Sequence, residues 1–577
     1  MGIIKTISVP DTLTLEDNAE LALNALIGVA DEDYHYIPFF NADFKSKPAV
    51  MYHGNWDYGS SHGRLVDAII LARDMTGSNY GQDIEQHYRQ NLLSFIGPKG
   101  LTYRRNSFTQ QEIIEHQSQF KDSASMIDQR ATLLAFCTWY KHTGDERAKQ
   151  AADNLCAGLK DIARKERDYW YYPASEYILK EGWPSFDAVH TKLAPDPCSM
   201  WGRQIGPLAM WYDLTGNSDA YELCENFAAY IMHHSSVFGP DGSWSGAHEY
   251  RNGHFHTRMG TLASLARFAY ITHDSEMLNF AKKCFDWAIT NKCTTFGWTP
   301  GDMKDQQYEH ETCTLTDAID TAILLAKQGY TEYWAIAERF IRNHLTQSQL
   351  SDTSWIEQSH SKDKDVLGYK TYYKVADRLR GAFAGYAAPN DFVYDGEWGR
   401  GHIMDVQTCC LGAGTRGLYL AWDNIVTEMP NRRISLNLLL NHSSTWLDVS
   451  SYLPHEGKLE INAKKDMNDL LIRIPEWTPF GSVRIIRGQT THTGRQLPWI
   501  KNVFIRIPQV KAGESITVSF NTYERTTIEK GATLEYQVKW RGDDVIDIQP
   551  PGHYYPLYNN RTIYKTVPIT EKRLSQA

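Results

Sequence analysis

Ala131-Thr-Leu-Leu-Ala-Phe-Cys-Thr-Trp-Tyr-Lys-His-Thr-Gly144-Asp145 is a run of apolar and helix-forming residues closed by a glycine and an aspartate. A glycine just past the last helical residue takes the left-handed conformation that ends a helix. An Asp, Ser or Thr one to three residues later starts the next. The same phrase recurs in Leu65 to Gly77, in Gly206 to Gly216, in Leu262 to His273 with a histidine in the glycine's place, and in Ala318 to Gly329. Helix ends therefore fall at 77, 144, 216, 273 and 329. The spacing of about 55 to 70 residues leaves room for a helical hairpin and a long loop. A further amphipathic stretch near 14–30 and a helix after Cys410 bring the total to about a dozen. This predicts an (α/α)6 barrel, with an open α-solenoid as the other geometry. Uneven loops rich in Trp, His and Gly favour the closed form with a cleft.

Near Asn431 the apolar period changes from 3.6 toward 2. Arg433–Leu440, Trp446–Tyr452, Lys458–Ala463, Leu470–Pro475, Ser482–Ile486, Val503–Ile507 and Ser515–Phe520 read as strands separated by Gly-containing turns. Seven short strands predict a β-sandwich. The expected fold class is mainly α with C-terminal β. The expected domains are a helical barrel over 1–428 and a sandwich over 429–577 with an irregular C-terminal tail.

The net charge of -10 over 577 residues, with no basic run, excludes nucleic acid as a partner. No apolar run is long enough to span a bilayer. The N-terminus lacks a signal peptide's apolar core, and nine cysteines show no disulfide rhythm. Both point to a reducing, cytoplasmic setting with free or metal-bound thiols. The oligomeric state, a homodimer included, is not set by the sequence. The 17 Trp and 33 Tyr suit sugar rings as well as a large core.

Two short segments carry the chemistry: Glu311-Thr-Cys313 and Cys409-Cys410, each just ahead of a helical pattern. Helix N-termini favour anions and ease thiol ionisation. Three thiolates and a carboxylate suffice for a tetrahedral zinc ion. Ordinary buried thiols are the plainer alternative.

Glu311-Thr-Cys313, followed by Glu338-Arg339, Asn343 and Cys409-Cys410, resembles the zinc-thiolate glycosidases of glycoside hydrolase family 127, the β-L-arabinofuranosidases. The resemblance extends to Gly253-His254-Phe255-His256 and to Leu470–Trp477. It implies Zn2+ held by Glu311, Cys313, Cys409 and Cys410, with Cys409 also the nucleophile of a retaining glycoside hydrolase acting on small oligosaccharides or glycosides. The family's catalytic acid lies 16 residues before the metal glutamate, and that offset falls here on Thr295, which cannot protonate a leaving group. The loop is remodelled, so Asp302 is the first candidate acid and Glu309 the second. In the family a histidine in the 253–256 region contacts the sugar, so His254 and His256 become substrate-binding candidates. Trp56 and His62 in an early loop, Arg203 ahead of a helix, and Glu397 in the segment leading to Cys409 complete that set. Glu338 and Asn343 either orient the metal shell or bridge helices. Two other readings stand beside this one: a noncatalytic carbohydrate-binding protein with a structural zinc, and a metal-independent (α/α)6 lyase or epimerase.

Overall fold

The structure is a computed structural model. It describes residues 3–54, 56–104, 123–184, 196–245, 253–303, 310–363, 368–393, 404–501, 503–531, 534–558 and 561–576. Of the sequence-derived candidates, Glu309 and Glu397 lie outside the described residues.

Twelve helices of eight residues or more are present among the described residues. In chain order they are α1 (Leu15–Gly28), α2 (Gly59–Thr76), α3 (Gln82–Ser94), α4 (Met126–Thr143), α5 (Glu146–Ile162), α6 (Ile205–Thr215), α7 (Ser218–Ala229), α8 (Phe255–Thr272), α9 (Ser275–Asn291), α10 (Thr312–Lys327), α11 (Tyr333–Phe340) and α12 (Thr408–Trp422). Helices α2, α4, α6, α8, α10 and α12 each pack on the next, and α12 packs back on α2. Each of the others backs one or two of these six.

The two sets differ as their positions require. Almost every residue of α2 is buried, polar ones included, whereas α5 buries only the stripe Ala148, Ala151, Ala152, Leu155 and Leu159 with its near neighbours. A helix enclosed on all sides cannot show a one-sided apolar face. The expected ends hold at four of the five sites. Gly77, Gly144, Gly216 and His273 cap α2, α4, α6 and α8 in the left-handed region. The fifth helix, α10, stops at Lys327, one residue earlier than the pattern indicated, and Gly329 follows with φ 99°. Asp145, Asn217 and Asp274 then accept backbone N–H groups at the starts of α5, α7 and α9.

The C-terminal region is sheet-rich. One sheet has five strands, of which Arg433–Leu436 and Met467–Arg473 run parallel, and another has six. All seven expected strands are present within a residue or a few of their predicted bounds. A three-stranded sheet follows over Glu524–Gln549. The tail corrects the expectation of irregular chain, because Ile569–Gln576 forms a strand antiparallel to Ile3–Pro10. The sequence of the tail is charged rather than alternating, so only its partner strand reveals it.

Glu338 and Asn343 tie the helices to the sheets. Glu338 accepts from Arg342 Nε at 2.6 Å, from Leu439 N at 2.9 Å and from Arg473. Asn343 bonds Asp543 O and Val545 N. Both are consumed by these contacts, so the bridging role is the one they fill. No helix among the described residues is long and apolar enough to cross a membrane.

Candidate metal centre and active site

The centre forms where α10 and α12 begin side by side. Glu311 is the N-cap residue of α10 and pairs with Tyr386 in a two-residue bridge of strands. Cys313 follows in the first turn. Gln407 is the N-cap residue of α12, fixed by pairing with Asn41, and Cys409 and Cys410 follow it. Ligand atoms of Glu311, Cys313, Cys409 and Cys410 all lie within 4.8 Å of one another, although the two segments are nearly a hundred residues apart in sequence. Cys313 Sγ is 3.7 Å from Cys410 Sγ, which is 3.9 Å from Cys409 Sγ. Four such groups around one point can hold a metal ion.

Close backbone approach makes room for this. A Cβ on Gly412 would stand 3.0 Å from the Arg64 carbonyl oxygen, and one on Gly63 would stand 2.3 Å from that of Ala131. Glycine at both positions lets α12 and α4 close on α2 and brings Arg64 under the sulfurs. Arg64 donates from Nη1 to Cys313 Sγ at 3.2 Å and to the Cys409 carbonyl at 3.3 Å.

The three sulfurs are not equivalent. Cys313 and Cys410 are wholly buried, and Cys409 keeps 8% of its surface exposed. The neighbouring Cys313 and Cys410 thiols, with the Arg64 charge, hold the Cys409 thiol well below its usual range, and its Sγ–H donates to Gln407 Oε1 at 3.2 Å. Burial pushes Cys410 well above it. Cys409 is thus the one of the three that keeps some exposed surface. Phe40 and Trp56 pack against the cluster.

His254 precedes α8 and places Nε2 2.7 Å from Glu311 Oε2. Asp302 lies beside it, since the two residues form an antiparallel backbone bridge. His256 faces the helical interior, with Nε2 2.6 Å from Arg203 Nη1 and Nδ1 2.9 Å from Asp317 Oδ2. Burial holds His256 well below the usual imidazole range, so it is neutral and accepts from Arg203. Thus His254 and Trp56 are brought to the cluster, and Arg203 and His256 stand one layer further in. Asp302 neighbours His254 along the backbone and lines a separate cavity with Trp298, Arg339 and Glu476.

His62 is not brought there, contrary to the sequence-based expectation. Its ring is fully buried against Tyr88 and Phe95. Nδ1 meets the Asp57 carbonyl and Nε2 meets Asn91. Burial lowers it to about 4. Neither nitrogen is left for a ligand. Thr295, where the 16-residue offset from Glu311 falls, is bonded to Glu529 through both its N–H and its hydroxyl. Arg64, Arg130 and Asp317 escaped the sequence reading. They lie on helices where a lone charge reads as solvated surface, and only an all-buried ring of helices turns them inward.

No protein-family model and no curated protein matches this chain. Its fold does match solved structures. One is a family 127 glycoside hydrolase, a β-L-arabinofuranosidase from Geobacillus stearothermophilus T6, with a TM-score of 0.58 at 12% identity over 93% of this chain and 80% of that one. Another family 127 β-arabinofuranosidase has a TM-score of 0.58 at 13% identity over 92% and 79%. A third structure, a glycoside hydrolase, has 0.55 at 14% over 90% and 84%. The chain therefore has a fold like that of glycoside hydrolase family 127.

Proposed function

We propose that this chain is a retaining glycoside hydrolase in which Cys409 is the nucleophile and Glu311, Cys313, Cys409 and Cys410 hold a zinc ion. The observation that carries the reading is the asymmetry of the cluster: Cys313 and Cys410 are sealed, and Cys409 keeps a little exposed surface. The S···S separations of 3.7 and 3.9 Å also match the edge of about 3.8 Å expected for tetrahedral zinc with Zn–S bonds of about 2.3 Å. When bound, the ion keeps the sulfurs deprotonated at neutral pH.

In this reading the Cys409 thiolate attacks the anomeric carbon and forms a C–S bond as the bond to the leaving oxygen breaks. The Asp302 carboxyl gives its proton to that oxygen. The resulting carboxylate then takes a proton from water, which displaces sulfur and releases the sugar with configuration retained. His254 orients Glu311 through its 2.7 Å contact, and Trp56 offers an aromatic face to the sugar ring. The substrate is a small glycoside or oligosaccharide, a β-L-arabinofuranoside being the first to try because of the relatives' activity. The closed ring of six inner helices supports an (α/α)6 barrel over 1–428, and the five- and six-stranded sheets support a β-sandwich over 429–577.

The test is a panel of nitrophenyl furanosides and pyranosides with intact-mass detection of the protein. A glycosyl adduct on Cys409, absent in Cys409→Ser together with turnover, is the expected result. Binding without turnover, or undiminished turnover in Cys409→Ser at full zinc content, contradicts it.

A further inference from the structure

The six inner helices enclose a small lumen that adjoins the thiol cluster and is lined with charge. Arg416 pairs with Asp67 at 2.7 Å, and Arg267 pairs with Asp320 at 2.6 Å. These two pairs are neutral as units. Among the described residues that line the lumen, Arg64, Arg130 and Arg203 then remain against a single carboxylate, Asp317. Three positive charges less one negative leave a surplus of plus two in a buried space. The Nε atoms of all three arginines are buried without a hydrogen-bond partner. His256 adds nothing to the count, because burial keeps it neutral.

An uncompensated buried charge is costly, so this surplus needs an equal negative charge close by. The cluster next to it supplies that charge when it holds a divalent ion. Three thiolates and a carboxylate around a divalent ion carry a net charge of minus two. The same ligands around a monovalent ion carry minus three. Arg64 joins the two groups physically, since it lines the lumen and donates to Cys313 Sγ.

We propose that Arg64, Arg130 and Arg203, offset by Asp317, form the buried counter-charge of the loaded cluster and select a divalent ion over a monovalent thiophile at the same three thiolates. The inference rests on the metal-binding reading given above. It makes these residues positioning residues, acting on the ligand set through charge and not on the substrate.

The test is charge counting by substitution, read as metal affinity by competition with chromophoric chelators for Zn2+ and Cu+. Arg130→Met lowers the surplus to plus one, and its Zn2+ affinity is expected to fall roughly 10- to 100-fold, the usual cost of losing an outer partner of a metal site. Asp317→Asn raises the surplus to plus three and is expected to shift the preference toward Cu+ relative to Zn2+. The double variant Arg130→Met/Asp317→Asn returns to plus two and is expected to regain most of the wild-type Zn2+ affinity, which no loss of packing would do. Arg130→Lys keeps the charge and should stay close to wild type. Where Arg130→Met does not fold, the preference of Asp317→Asn decides alone. Wild-type protein that binds Zn2+ while both single variants keep its affinity and preference overturns the counter-charge. Wild-type protein that fails to bind Zn2+ overturns the metal reading itself.

Discussion

Cys313 Sγ and Cys410 Sγ stand 3.7 Å apart across 97 residues of chain. Both are sealed from solvent, and each lies in the first turn of its own helix. Uncompensated thiols at this spacing repel once ionised, so the arrangement is most stable with an ion between them. Cys410→Ala is expected to lose stoichiometric metal. A chelator should lower the Tm of the wild type and leave that of the variant unchanged. A free-metal level 100 times Kd stabilises the wild type by about 2.7 kcal/mol, which sets the scale of the shift. Differential scanning calorimetry with and without chelator reads it.

His254, the residue that leads into α8, holds Glu311 by a contact of 2.7 Å. His254→Ala should leave the fold intact and weaken the metal roughly 10- to 100-fold. His254→Gln keeps a donor near the same place and should recover part of the loss. Metal competition titrations separate the two variants.

How far the sequence reached depends on whether the signal was local. Gly144 with Asp145 is punctuation within two residues, and both the end and the next start fall where that pattern puts them. Gly216 ends its helix as expected, while the next helix is capped by Asn217, a residue type the pattern does not name. The Glu311–Cys313 and Cys409–Cys410 pairs were legible because metal ligands are few and chemically distinctive. His62 misled because a histidine in an aromatic loop reads alike whether its ring faces a cleft or Tyr88. Arg130 and Asp317 were invisible because their burial comes from the closure of the helical ring, a property of no single helix. The final strand was missed because its partner, Ile3–Pro10, lies at the other end of the chain.

Glu338 is sealed between Arg342 and Arg473 at the junction of helices and sheets. Its loss leaves two buried guanidinium groups short of a partner. Glu338→Ala should cost about 3–5 kcal/mol in denaturant unfolding. Metal content per folded chain should not change, because the residue touches none of the ligands. A proportionate loss of metal would place it in the metal shell after all.

Glu16 on α1 is fully enclosed and accepts from Trp422 Nε1 at 2.8 Å. Burial pushes its carboxyl up from 4.5 to about 8. Below pH 4.5 the folded and unfolded chains both hold this proton. As pH rises from there the unfolded chain gives it up first, so stability falls by about 1.4 kcal/mol per pH unit until about pH 8 and then levels off. Glu16→Gln removes this dependence. The variant should match the wild type near pH 5 and exceed it near pH 8 in urea unfolding. A constant difference between the two proteins across that window would contradict the shift.

X-ray absorption at the zinc edge of the purified, zinc-loaded protein measures the ligand shell itself. Three sulfur scatterers at about 2.3 Å and one oxygen at about 2.0 Å, with one zinc per chain, are the predicted result. A shell of nitrogen and oxygen alone, or protein that takes up no zinc, would contradict it.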